Sequence, residues 1–319
     1  MKRSLHIGIN DYPGTSNDLS GCVNDANDFL EELKSRDFET TSLLNNNATK
    51  VNIINAITKL IELTTSDDIL VITYSGHGTW TTDLDGDEDD QRDEAICPYD
   101  VATNILLDDE LNEIFSKKQS GATIVFISDS CHSGTVSKMC KTIPGTENDH
   151  WNFQKIKYMP AANYIKNKTK LSELHHFHMN HLNHNNFFNI FNANNLNNFF
   201  NQYMPELPDD INIPELSNDT NIPTTDTNIP ATNITDDINY PVILLAACQD
   251  TEYSYDAWFN SRANGAFTYV ALNALKELSN TATYIDWYNK ILTSLPSVNY
   301  PQTPKITGNT DDLNKIIFE

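Results

Sequence analysis

The run Ile69-Leu70-Val71-Ile72-Thr73-Tyr74 is apolar or β-forming at every position and stops at Ser75-Gly76-His77-Gly78. A half-buried strand would alternate polar and apolar residues, so an unbroken run of this length reads as a strand covered on both faces. Two further runs have the same character: Ala122 to Ile127, ending in Ser128-Asp129-Ser130-Cys131-His132-Ser133-Gly134, and Val242 to Ala247. Leu5 to Ile9 adds a short strand. Helical spacings fill the intervals: Val23, Ala26, Phe29, Leu30 and Leu33, then Ile53, Ile54, Ile57, Leu60 and Ile61 behind a Thr49 cap. Asp108 is expected to cap a short helix with Leu111, Ile114 and Phe115 inward, and further helical patterns run from Ala266 to Leu278 and from Tyr284 to Leu295. Doubly buried strands joined by helices predict an α/β fold whose mostly parallel central sheet carries helices on both faces. Ligands of such sheets bind beyond the carboxyl ends of strands, where both His77 and Cys131 stand.

Residues 141–239 break this pattern. They are rich in Asn, carry Pro, and repeat Asn-Ile-Pro at 212, 221 and 228 without an apolar face. A segment with so little apolar surface does not offset an ordering cost of ~1–2 kcal/mol per residue, so a long, largely disordered low-complexity insertion is expected. The chain therefore divides into 1–140, a large-subunit-like catalytic region; 141–239, the insertion; and 240–319, a small-subunit-like region completing the same domain.

The chain has 319 residues, and 21 Lys plus Arg against 44 Asp plus Glu give a formal charge of −23. That charge repels nucleic acid and anionic bilayers and favours basic protein or peptide partners. Five cysteines without a CxxC pair suit neither a disulfide framework nor a zinc site. With no signal-peptide core near Met1 and no 18-residue apolar run, a cytoplasmic protein without membrane association is expected.

A cysteine on one strand end and a glycine-flanked histidine on another suit covalent acyl transfer, in which a nucleophile is paired with a base from a separate loop. His132, beside the cysteine, is the alternative base. The blocks His6 to Gly14, Gly21-Cys-Val-Asn-Asp-Ala26, Tyr74 to Gly78 and Ser128 to Gly134, with Ala247-Cys-Gln-Asp250 and Gly265-Ala-Phe-Thr268, resemble the metacaspases, caspase-like cysteine peptidases. The resemblance covers residues 4 to 137 and 241 to 308. It implies a caspase-like fold, a type I-like layout without a prodomain, and a monomer. It makes Cys131 the nucleophile and His77 the general base and acid, with the backbone N–H groups of Gly78 and Cys131 holding the tetrahedral oxyanion. It also implies a specificity pocket of Asp25 and Asp129, with Ser75 and Cys22 as further lining. Two carboxylates suit a forked guanidinium, so Arg is expected ahead of Lys at the cleaved position.

Asp83 to Glu94 holds eight carboxylates but lacks the sixth-position glycine of an EF-hand loop. The resemblance implies calcium stimulation through Asp93, Asp108 and Asp109, while Lys138 replaces a further family acid; no organic cofactor is implied. His175, His176, His178, His181 and His184 have spacings that permit metal binding but sit in an Asn-rich context. Lys138, Lys141, Lys155, Lys157, Lys166, Lys168 and Lys170, in and around an accessible linker, are candidate self-cleavage positions. Two other functions compete: a catalytically silent caspase-like scaffold, and an Asp-specific peptidase, which the pocket acids disfavour.

Overall fold

Element by element, the apolar runs and helical spacings of the sequence reappear in the computed structural model, which describes residues 1–13, 15, 17–82, 92–102, 104–131, 155–159, 234–236, 241–250 and 252–319. All of these belong to one of the two units into which the chain divides, formed by Met1–Asp83, Asp87–Pro160 and Thr232–Glu319. In chain order the elements are β1 (Lys2–Gly8), α1 (Cys22–Lys34), β2 (Glu39–Leu44), α2 (Lys50–Leu63), β3 (Ile69–Ser75), β4 (Gly78–Thr82), β5 (Arg92–Ile96), β6 (Leu106–Leu107), α3 (Asp108–Phe115) and β7 (Thr123–Asp129). They continue with β8 (Lys155–Ile156), β9 (Ile234–Asp236), β10 (Ile243–Ala246), β11 (Tyr255–Phe259), β12 (Arg262–Gly265), α4 (Ala266–Glu277), α5 (Tyr284–Leu292), β13 (Lys305–Gly308) and α6 (Thr310–Leu313).

The main sheet has seven strands in the order β2-β1-β3-β7-β10-β13-β9. Pairing is parallel from β2 through to β10 and again between β13 and β9; only β10 with β13 is antiparallel. Successive residues of a strand point to opposite faces, so β3 and β7 each feed two cores. Val71, Val125 and Ile127 pack with Phe29 and Leu33 of α1, Phe267 and Ala271 of α4, and Trp287 and Ile291 of α5. Leu70, Ile72, Ile124 and Phe126 join Ile53, Ile57 and Ile61 of α2 with Leu111, Ile114 and Phe115 of α3 on the other face. The indole Nε1–H of the fully buried Trp287 donates to the Ala271 carbonyl (2.9 Å), tying α5 to α4.

Three details differ from the sequence expectation. Thr49 does cap α2, accepting from the Asn52 N–H at 3.3 Å, but Asp108 is the first residue of α3 rather than its cap. Glu110 accepts the preceding Leu107 N–H instead (3.0 Å) and pairs with the buried Lys50 (2.7 Å), so one carboxylate both closes the helix start and ties α3 to α2. Secondly, two small antiparallel sheets, β4-β5-β6 and β12-β11-β8, flank the carboxyl ends of the main strands. Their strands are two to five residues long, too short for a periodic signal. Thirdly, β8 and β9 lie within 141–239, the segment whose composition reads as unstructured; their order comes from pairing with β11 and β13, which composition does not encode. Residues 141–154, 160–233 and 237–239 of that segment, with Lys141, Lys166, Lys168, Lys170 and the histidines from His175 to His184, lie outside the described residues, as do His132, Lys138 and the acidic run 83–91.

Candidate active site

β3 and β7 are neighbours in register, Ser75 beside Asp129, so the turns that follow them are adjacent. His77 is buried and held on every side. Its backbone N–H donates to the Tyr12 hydroxyl (2.8 Å), its carbonyl accepts from the Tyr74 hydroxyl (2.6 Å) and the Cys97 N–H (2.9 Å), and the Tyr12 ring lies 4.7 Å from the imidazole. Nε2 faces the Asn17 carbonyl at 2.5 Å. A proton on Nε2 satisfies that carbonyl and leaves Nδ1 as the lone-pair nitrogen. Nδ1 is buried and makes no hydrogen bond of normal geometry. Burial lowers the imidazole pKa to about 4, against the opposing pull of the Asn17 and Lys157 carbonyls. The ring is therefore a neutral base at physiological pH.

Cys131 follows β7 and is fully buried. Its Sγ lies 2.7 Å from the donating Ser254 N–H and 3.4 Å from the Ser254 carbonyl. A second thiol, Cys248, stands nearby with its Sγ 3.6 Å from the Ser130 carbonyl, and the neighbouring Cys131, ahead of burial, holds the Cys248 pKa well above its ordinary value. Gly78 and Cys131 aim their N–H groups at a single acceptor, the backbone carbonyl of Lys157, at 2.9 and 3.3 Å. Two donors converging on one carbonyl oxygen are the arrangement that stabilises a developing oxyanion.

The acids expected at the pocket do converge. Asp25, on the first turns of α1, accepts from the Ser75 hydroxyl (2.7 Å), Asn264 Nδ2 (2.9 Å) and the Gly265 N–H (2.9 Å). Asp129, closing β7, accepts from the Ser254 hydroxyl (2.6 Å), the Thr268 hydroxyl (2.7 Å) and the Thr268 N–H (3.1 Å). Cys22 is buried beside them, its thiol pKa pushed well up by burial. Asp256 stands behind, accepting the N–H groups of Ser20 (2.7 Å) and Gly21 (2.8 Å) where the chain enters α1; burial raises its pKa to about 6. Burial also raises the Asp25 pKa, with the Lys157 ammonium opposing.

Between the carboxylates sits the Nζ of Lys157, 3.1 Å from Asp25, 3.0 Å from Asp129 and 2.9 Å from the Ser75 hydroxyl. An ammonium has three N–H donors, and each has a partner here. The side chain is 0% exposed. Its own burial opposes the charge, but Asp129, Cys22, Asp25 and Asp256 outweigh this and hold the lysine pKa well above normal. The hollow is thus walled by acids, and the one cation in it among the described residues, Lys157, arrives from the insertion. The backbone matches: β8 pairs with β11, the Lys157 N–H donates to the Ser254 carbonyl (2.9 Å), and the Met159 N–H donates to the Gly78 carbonyl (2.9 Å).

The pocket residues Asp25, Asp129 and Ser75 gather round Lys157, and the Gly78 and Cys131 N–H groups converge on its carbonyl, whereas Nδ1 of His77 makes no hydrogen bond to the Cys131 thiol. Sequence reading named Lys157 only as one of seven candidate self-cleavage positions, and missed Asn17, Ser254 and Asn264. Gly265 and Thr268 were legible only as members of a matching block. The acids named for calcium are less concentrated. Asp93 lies on β5, and Asp108 and Asp109 open α3. Among the described residues, no group of three or more His, Cys, Asp or Glu side chains is close enough to hold a metal ion. Nor is any described helix long and apolar enough to cross a membrane.

The family profile described as Caspase domain matches residues 1–314, so the chain belongs to the caspase-domain family of peptidases. Within it the similarity is to metacaspases. The chain is 41% identical over 146 residues to metacaspase-1 of Cryptococcus neoformans, a match covering 42% of this chain and 32% of that protein. It is 40% identical over 143 residues to metacaspase-7 of Arabidopsis thaliana, covering 42% and 35%. The match therefore spans about a third of the length of these relatives. A crystal structure of a protein from Geobacter sulfurreducens, 24% identical, shares the fold with a TM-score of 0.62, covering 99% of this chain and 98% of that one.

Proposed function

We propose that the protein is a cysteine endopeptidase that hydrolyses peptide bonds after basic residues and cuts its own chain between Lys157 and Tyr158. One observation carries the proposal: Lys157 lies across the site as a bound substrate would, ammonium between Asp25 and Asp129, carbonyl oxygen on the Gly78 and Cys131 N–H groups. In the reaction, His77 takes the thiol proton and Sγ of Cys131 bonds to the Lys157 carbonyl carbon. The oxyanion rests on the two N–H groups, the carbon–nitrogen bond to Tyr158 breaks, and His77 returns the proton to the departing amine. Water then adds to the thioester, releasing the Lys157 carboxylate and the thiol. The relatives' name and the family match support the same chemistry.

Arg and Lys are both proposed as cleaved residues. Arg is favoured by the forked carboxylate argument, whereas the three-point hold on Nζ fits an ammonium. Calcium stimulation that draws on Asp93, Asp108 and Asp109, which by themselves do not form a metal-holding group, action in the cytoplasm as a monomer, and basic protein substrates complete the proposal. Incubating the wild type beside Cys131→Ala tests it: a fragment beginning at Tyr158 is expected from the wild type alone. Identical gel patterns would defeat self-cleavage, and a fluorogenic panel with Arg, Lys or Asp before the cut decides specificity. Loss of activity in a calcium chelator is expected; undiminished activity removes calcium while leaving the dyad untouched.

A further inference from the structure

Beyond the cleaved bond the chain is held as firmly as before it. Gly78 donates its N–H to the Lys157 carbonyl and accepts the Met159 N–H (2.9 Å each), with Tyr158 bridged in parallel to Gly78. Tyr158 sets its ring 6.0 Å from that of Tyr253, at 51°. Met159 is 8% exposed and joins the apolar cluster that includes Tyr12, Leu19, Ile96 and Cys97. Neither residue reached these surroundings through the regular strands of the fold; both stand in a stretch whose composition is poor in apolar side chains.

Any peptide cut in trans must first displace this segment, because Lys157 fills the acidic hollow completely. What Met159 vacates is an apolar cleft, and what Tyr158 vacates is its ring contact with Tyr253. A substrate recovers the lost burial only by bringing side chains of like character.

We propose that the site holds two subsites past the scissile bond, an aromatic one at Tyr253 for the first residue and an apolar one beside Gly78 for the second, so that its preferred substrates read basic, then aromatic, then apolar. The proposal rests on the cleavage reading above and adds to it which residues follow the cut. On the near side, by contrast, Ile156 is held through backbone pairing with Tyr255, which is tolerant of sequence, and Lys155 pairs with Asp256 and donates its Nζ to the Asp18 carbonyl (2.6 Å).

The test uses the full-length chain carrying Lys157→Ala, whose own segment no longer supplies a cation to the hollow. Quenched peptides spanning Ile-Lys-Tyr-Met, Ile-Lys-Tyr-Asp and Ile-Lys-Gly-Met are compared on that one enzyme by kcat/KM. Replacing Met by Asp is expected to lower kcat/KM at least ten-fold, and replacing Tyr by Gly about three-fold or more. Equal values within two-fold for all three overturn the subsites and leave basic specificity standing; failure to cut any of them overturns both. A measurement within the chain supplies a second readout. Met159→Leu is expected to release the Tyr158 fragment at the wild-type rate and Met159→Asp at least ten-fold more slowly; equal rates for the two also overturn the apolar subsite.

Discussion

Gly78 has no room for a side chain. A Cβ there would strike the carbonyl of Cys131, so the approach that lets two N–H groups share one oxygen depends on glycine. Gly78→Ala is expected to lower kcat on basic peptides by roughly 10²–10³, the scale of one lost oxyanion donor; steady-state kinetics check this. Asp129→Ala is expected to cost at least as much, since Asp129 holds the ammonium, Ser254 and Thr268 at once. A loss confined to peptides cut after Lys or Arg marks it as a specificity residue. His6, buried between Ser4 and Thr73, has its pKa lowered to about 3 by burial. The unfolded chain binds a proton there near pH 6.5 and the folded one does not. The contribution of His6 is therefore complete above pH 6.5 and declines as pH falls, by roughly 3 kcal/mol between pH 7 and pH 4.5. Urea titrations at both pH values are expected to show a smaller acid loss for His6→Gln than for the wild type.

At the level of elements, α2 and α3 share a buried ion pair. Lys50 and Glu110 approach to 2.7 Å with side chains 8% and 10% exposed, and burial lowers the Lys50 pKa against the pull of Glu110. Removing only the carboxylate strands an ammonium and frees the Leu107 N–H, so Glu110→Ala is expected to cost about 3–5 kcal/mol in chemical denaturation. Four strands of the main sheet, β1, β3, β7 and β10, and its principal helices were legible because each shows a period or an unbroken apolar run, whereas β2, β13 and β9 carry no such signal. The pocket acids were legible because Asp25 and Asp129 fall in short contiguous blocks with flanking glycines. What escaped reading is made of contacts between distant positions: Asn264 meets Asp25 across 239 residues, and Lys157 meets it across 132. Neither carries a local mark. Lys157 is one lysine among several in a polar tract, singled out only by the β8–β11 pairing that aims it.

On the scale of the whole molecule, the pocket belongs to both sides of the insertion. Asp25, Ser75 and Asp129 come from before it, and Ser254, Asn264, Gly265 and Thr268 from after it. The two parts also share the β7–β10 pairing and an apolar core, so a cut at Lys157 severs the chain without parting the fold. The fragments are expected to co-elute in native size-exclusion chromatography and to separate only in denaturant. The strand β9, three residues long, closes one end of the main sheet against β13. A border so brief gives a second molecule few free amide and carbonyl groups to zip onto. Any rise of the sedimentation coefficient as this protein is concentrated should accordingly come from stacking through the opposite border, the six-residue β2, and not through β9.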